Sequence, residues 1–292
     1  MKLLLLLIAL SCSPAFAALP SADTVCIRYS FKTGDELTYL AVSHDSISMP
    51  GRETIVRDRK ERVEVRCDSV SANGKFLITQ TLTNVEITET GNDGKSNVRF
   101  ETPWVGREVW FWMDSAGVRH GFGAVDTLTA GNSPGGAFHP HLLFTLKETC
   151  HARKSSWSLD TFHVDLPENS IPAPLMRYTS IFRIHHDVDT LGARCHAGQY
   201  TLTGQGSSHV YSTVGQRMRI TTILAQFGKF KWSAKHHFPV HFFATTENKF
   251  SIHFEGDDPA LRITGKHYIN TNYTLIEAKF ADGGNIQNKY EK

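Results

Sequence analysis

Alternation of apolar and polar residues with period two recurs along most of this chain, and it constrains the fold more than any other feature. Phe250, Ile252 and Phe254 alternate with Lys249, Ser251 and His253. Val63, Val65 and Cys67 alternate with Arg62, Glu64, Arg66 and Asp68. The same pattern sets Tyr178, Ser180, Phe182 and Ile184 against Arg177, Thr179 and Arg183, and Met218, Ile220, Thr222 and Leu224 against Arg217, Arg219 and Thr221. Successive side chains of a strand point to opposite faces, so each segment predicts a strand with one face buried. Helical periodicity is scarce.

Tight-turn signals separate these segments. Asn73-Gly74 and Asn92-Asp93-Gly94 tolerate the positive φ of short hairpin turns, and Asp114-Ser115-Ala116-Gly117 and Gly256-Asp257-Asp258-Pro259 are acidic turns of the same kind. Strands joined this way pair antiparallel. The strand opening at Lys75 changes apolar phase, from Phe76, Ile78 and Leu82 to Val85 and Ile87, which predicts a bulge or bend near Asn84. Between residues 131 and 174 glycine and proline concentrate, and residues 141–151 are the best candidate for a helix.

The expected fold class is therefore all-β. It consists of antiparallel curved sheets or an open half-barrel, in two β-rich halves (18–130 and 175–292) joined by a Gly/Pro-rich connection (131–174) carrying one short helix.

Residues 1–17 form a separate unit. Lys2 precedes an apolar run from residue 3 to 10, and Ala15-Phe16-Ala17 supplies an A-x-A cleavage site. This is a secretory signal, and its apolar run is far shorter than the roughly 20 residues that a membrane span needs. Ser11-Cys12 offers lipoprotein attachment as an alternative, but Ala9-Leu10-Ser11 fits that pattern poorly, which favours cleavage after Ala17. The expected location is periplasmic or extracellular, with no transmembrane segment in the mature chain. The 31 Lys and Arg against 29 Asp and Glu leave a net charge of +2 and no basic block, so nucleic acid is not an expected partner. Residues 57–66 mix both signs and read as a solvated strand face.

Cys26, Cys67, Cys150 and Cys195 remain after the signal. An even number in an exported chain suggests two disulfides, and proximity favours Cys150 with Cys195 and Cys26 with Cys67. The parity of Cys67 matches Val63 and Val65, whereas Cys26 is out of phase with Ile27, Tyr29 and Phe31, which weakens the second pair. Free buried thiols are the alternative.

Catalytic motifs fail on inspection. Gly131-Asn132-Ser133-Pro134-Gly135 fits G-x-S-x-G, but Pro134 lacks the backbone N–H that such an elbow gives to the oxyanion. Gly94-Lys95-Ser96 resembles the end of a phosphate loop, yet Glu89 stands where its first glycine belongs. Histidine is unusually frequent, at 15 residues, and neighbouring strands could bring several together around a metal. Only His139 and His141 have the two-residue spacing, about 6.6 Å on a strand, and Pro140 between them disfavours regular strand geometry. No cofactor and no metal site are expected.

The other candidate is an apolar surface. Phe238, Val240 and Phe242 share phase on one segment, and Phe250, Ile252 and Phe254 do so on another. Trp110 and Trp112 make the second face of their strand apolar as well. Such faces are either a filled core or a concave surface that holds an apolar ligand.

The strand–acidic turn–strand units at Trp112-Met113-Asp114-Ser115-Ala116-Gly117 and Phe254-Glu255-Gly256-Asp257-Asp258-Pro259, behind a signal peptide, resemble secreted bacterial all-β proteins of uncharacterised function. In arrangement they also resemble the half-barrel lipoprotein carriers of the bacterial envelope. The resemblance implies a curved sheet and a lipid or lipoprotein ligand, and it transfers no functional residue. Together these readings favour an exported binding or interaction protein over an enzyme. A metal-assisted or carboxylate-based hydrolase, using histidines or a pair such as Asp187 and Asp189, is the alternative, and a structural surface protein is a third.

Overall fold

The strand periodicity is realised in a computed structural model that describes residues 23–102, 105–124, 139–146, 150–159, 175–211, 217–254 and 262–288. The secretory pattern with Cys12, the Gly131–Gly135 motif and the turn at Gly256 lie outside the described residues. In chain order the strands are β1 (Thr24–Cys26), β2 (Glu36–Ser48), β3 (Ile55–Val70), β4 (Phe76–Thr90), β5 (Ser96–Arg99), β6 (Glu108–Met113), β7 (Arg119–Ala124) and β8 (Cys150–Ala152). They continue as β9 (Ser156–Leu159), β10 (Leu175–Thr190), β11 (Ala193–Tyr211), β12 (Arg217–Ser233), β13 (Pro239–Phe254), β14 (Arg262–Lys279) and β15 (Asn285–Gln287).

All but two of these strands form one antiparallel sheet, in the order β7-β6-β4-β3-β2-β14-β13-β12-β11-β10-β9, with β5 and β15 attached to β4 and β14. The sheet is open and curved, not closed into a barrel. β2 pairs with β14, so the strands before and after the central connection are hydrogen-bonded into one surface. β1 and β8 make a separate two-stranded ribbon. The expected bulge is present: the β3–β4 register jumps between Arg62↔Asn84 and Val63↔Leu82, leaving Thr83 as the extra residue.

Curvature requires that the inner face be filled, and two irregular segments fill one half of it. Residues 25–31 run extended and bury Val25, Ile27, Tyr29 and Phe31 on alternate positions, and residues 139–146 bury Leu142, Leu143, Phe144 and Leu146. The helix expected over residues 141–151 is absent from the described part of that range: 141–146 is irregular and 150–152 is β8. Its apolar residues come in an almost unbroken run that serves as a plug surrounded by sheet, a setting in which tertiary contacts override any helical preference. Phe144 packs among the rings of Phe182, Tyr200, Phe230, Trp232 and Phe242. Phe31 reaches Phe76 on β4 and Phe238 beside β13, and so ties the two arms of the sheet together.

Hydrogen bonds satisfy the plug's polar groups, as a buried irregular segment demands. Tyr29 Oη donates to the Phe144 carbonyl at 2.9 Å, Tyr273 Oη donates to the Pro140 carbonyl at 3.1 Å, and Leu146 N donates to the Ala116 carbonyl at 2.7 Å. Gly117, at φ +80°, makes the approach possible, since a Cβ there would stand 2.7 Å from both Phe144 O and the Tyr29 ring. Gly228 and Gly198 do the same for larger rings: each lies under the aromatic residue it faces across the β11–β12 pair, Tyr200 and Phe230 respectively.

One disulfide, Cys26–Cys150, joins β1 to β8. The within-half pairing expected from proximity is thereby corrected, and Cys67 and Cys195 are free, buried thiols. Burial pushes the Cys67 thiol up to about 12. The physical reason is long-range: β1 pairs with β8 in a ribbon of their own, which joins residues 124 positions apart that sequence distance cannot suggest.

Candidate functional site

The inner face changes character along the strands. Phe238, Val240 and Phe242 belong to the closed core, packed around the plug. Further along, Phe250, Ile252 and Phe254 of β13 are only half-buried. Their neighbours on the same face are in register with them: Met218 is opposite Phe254, and Ile220, Ile252 and Ile263 form one row across β12, β13 and β14. Met218, Ile220 and Ile263 are half-buried too. On β6, Trp110 is 40% exposed and Trp112 half-buried, far from this row in strand order.

Between core and open end lies a group of buried charges. Asp45 on β2 is fully buried, with Arg59 and Glu61 on β3 and His139 from the plug nearly so. Arg59 Nη2 lies 2.9 Å from Asp45 Oδ2 and 2.7 Å from His139 Nε2, Nη1 lies 3.6 Å from Glu61, and Nε donates to Ser43 Oγ at 3.1 Å. Residues 57–66 are thus not a solvated face throughout. Arg59 and Glu61 share the phase of Val63 and Val65 and point inward, opposite the reading from charge alone. Burial raises the Glu61 carboxyl above its ordinary range against the pull of Arg59. Burial, and then the Arg59 charge, hold the His139 imidazole well below its ordinary value near 6.5.

The structure brings His139 together with His267 and Asp45, not with His141, which is exposed. His139 Nε2 and His267 Nε2 lie 3.7 Å and 3.8 Å from Asp45 Oδ2, and two imidazoles with one carboxylate are a chemically competent set for a divalent ion. Arg59, however, already places a permanent cation against two of those three atoms. A second cation there would meet it at close range in a poorly screened site. The arrangement therefore works as a buried ion-pair cluster that positions the plug. The other carboxylate pair divides: Asp187 is held by Arg153, Arg194 and His196, while Asp189 is exposed. Burial alone would raise the Asp187 carboxyl, and those three hydrogen bonds outweigh it and keep the group well below the carboxylate range.

On the opposite face, the far ends of β10–β14 enclose an open cavity of about 1000 Å³. Register explains its shape. Arg177, Gln205, Ile223, Lys249 and Lys266 form one row across five strands, and Ser207, Thr221, Ser251 and Thr264 form the next row on that face. Arg219 and Arg262 lie in the row beyond, with His253 between them in register. Long basic side chains thus wall a floor of hydroxyls. Thr221 Oγ1 and Ser251 Oγ are 2.9 Å apart, and Arg262 Nη2 donates to Ser251 Oγ at 2.8 Å. The sequence did show the alternation of Arg217, Arg219 and Thr221, but only strand order and register reveal that separate segments stack their cations.

No protein-family model matches the sequence, and no curated relative matches it. Among solved structures, lipovitellin, in a study of its lipid–protein interactions, aligns with 89% of this chain at 11% identity and a TM-score of 0.46. The chain spans only 27% of lipovitellin's length. DynF from the dynemicin biosynthesis pathway of Micromonospora chersina aligns with 88% of the chain and 86% of its own, at 9% identity and a TM-score of 0.24. An outer membrane channel from Pseudomonas putida F1 aligns with 88% of the chain and 99% of its own, at 9% identity and a TM-score of 0.21. Likenesses at this level say nothing about ligand or activity.

Proposed function

We propose that this is an exported, non-catalytic binding protein that holds an apolar ligand, such as the acyl chain of a lipid or lipoprotein, against the open end of the inner sheet face. The observation that carries the reading is the row of Met218, Ile220, Phe250, Ile252, Phe254 and Ile263. These are in-register apolar side chains on three adjacent strands that stay half-buried where the same face, a few residues along, is fully closed. Covering the part of each such side chain that is still exposed contributes on the order of 1 kcal/mol, enough in sum to hold a ligand. Export is supported by the secretory pattern of residues 1–17 and by the Cys26–Cys150 disulfide, which needs an oxidising compartment to persist. Among the described residues no helix is long and apolar enough to cross a membrane.

The test is native mass spectrometry of the full chain purified from its host, together with titration of a fluorescent long-chain fatty acid. Co-purifying lipid and saturable binding are expected, with binding about ten-fold weaker or more in Ile252→Lys. Absence of both lipid and saturable binding would refute the proposal.

A further inference from the structure

We propose that the basic-walled cavity on the outer face of β10–β14 is a second binding site, for an acidic polysaccharide. Apart from Phe250, which borders both, it is distinct from the apolar row, because alternation sends the two sets of side chains to opposite faces of the same strands.

Charge is the first reason. Arg177, Arg219, Lys249, Arg262 and Lys266 all line the cavity, and among the described residues no acidic side chain does. Among the described residues, Glu247, 3.9 Å from Lys249, is the one carboxylate paired with any of them. The whole chain carries a net charge of only +2, so this concentration of cations is local. It attracts anions and raises their local concentration.

Spacing is the second. The two basic walls are four residues apart along the strands, about 13 Å, and Arg177 and Lys266 are four strand spacings apart, about 19 Å. A single phosphate or carboxylate could touch only one part of such a site. The ligand must carry several anionic groups along an extended body.

The floor and surroundings narrow the class. Ser207, Thr221 and Thr264, with the Gln205 amide, offer donors and acceptors that match sugar hydroxyls. Ile223, 67% exposed in the basic wall, gives an apolar surface for the C–H face of a sugar ring. Ser251, only 2% exposed, is covered by Thr221 and Arg262, which fix the floor beneath the basic side chains. Phe250, on the inward phase, is the one aromatic among the described lining residues, so the trough offers no succession of rings for bases to stack on, which disfavours single-stranded nucleic acid. β11 to β14 are hydrogen-bonded on both sides, so along the floor of the trough an acidic peptide finds no free strand edge to extend.

The test measures binding of the full chain to a heparin-derived oligosaccharide and to oligogalacturonate by calorimetry at low salt, with neutral dextran, polyglutamate and anionic phospholipid vesicles as competitors in class. Binding to the acidic glycans, weakening as salt is raised, is expected. The exposed pairs Arg219→Glu/Arg262→Glu and Lys249→Glu/Lys266→Glu should each weaken it by about ten-fold or more, as loss of charge-assisted contacts requires. Lys60→Glu/Lys229→Glu, equal in charge change but outside the cavity, should stay within about two-fold of the parent. Far-UV circular dichroism checks that each variant is folded. No glycan binding, equal losses in the control pair, or equally tight binding of polyglutamate or vesicles would each overturn the assignment.

Discussion

Removal of the Asp45 carboxylate tests the buried cluster most directly. Asp45→Ala strands the Arg59 guanidinium in a site where both side chains are 5% exposed or less. Breaking a buried pair from one side costs roughly 3–5 kcal/mol, because the remaining charge keeps its desolvation penalty without its partner. Here Glu61, 3.6 Å from Arg59, still faces the stranded guanidinium and offsets part of the loss, so about 3 kcal/mol is expected. Arg59→Met in the same background removes the stranded charge and should restore about half of that. The assay is urea unfolding with the disulfide intact, followed by fluorescence of the buried Trp232 and Trp157. If Asp45→Ala lies within about 1 kcal/mol of the parent, or the double variant is no more stable than the single, the pair is not the desolvated contact described.

Other perturbations follow from the same geometry. The His139 imidazole is depressed in the folded chain, so its contribution to stability is full above about 6.5 and is lost as pH falls toward the folded value, with a slope of up to about 1.4 kcal/mol per unit. His139→Gln should flatten that acid limb in urea titrations, and an unchanged slope would count against it. The Glu61 carboxyl is raised, so its contribution is full below about 4.5 and is lost as pH rises through the folded value; Glu61→Gln should therefore gain stability relative to the parent toward neutral pH. Phe144→Ala empties the centre of the aromatic plug and should cost about 3–5 kcal/mol, with loss of the near-UV dichroism of the packed rings. Cys26→Ser/Cys150→Ser opens a link across 124 residues, for which chain entropy gives an upper figure of about 5 kcal/mol, readable as a shift in the urea midpoint.

Local pattern carried most of the strand assignment. Alternation located the strands, and Asn73-Gly74, Asn92-Asp93-Gly94 and the phase change near Asn84 located two turns and a bulge, because each depends on neighbours a few positions away. What failed was non-local. Residues 141–146 look like a helix by composition and form a plug because sheet surrounds them. Cys26 meets Cys150 because β1 pairs with β8 in register at those two residues. Arg59 and Glu61 were misread for a different reason: their charge suggested solvent, although their phase, shared with Val63 and Val65, already placed them inward. Phase was the more reliable guide, since a strand cannot turn one residue outward without a bulge.

The same rule ties the two proposed sites together. Along β12 and β13, one parity carries Ile220 and Ile252 to the inner face and the other carries Arg219, Thr221, Lys249 and Ser251 to the outer. A slip of one residue in the β12–β13 register would exchange them, placing cations beside the apolar core and isoleucines in the basic trough. Both sites thus select one register, and neither depends on the other for its chemistry. Ile252→Lys should weaken the acyl probe and leave glycan binding unchanged, while Arg219→Glu/Arg262→Glu should do the reverse. Loss of both activities in either variant would mean that the two faces report on folding of the sheet, not on separate ligands.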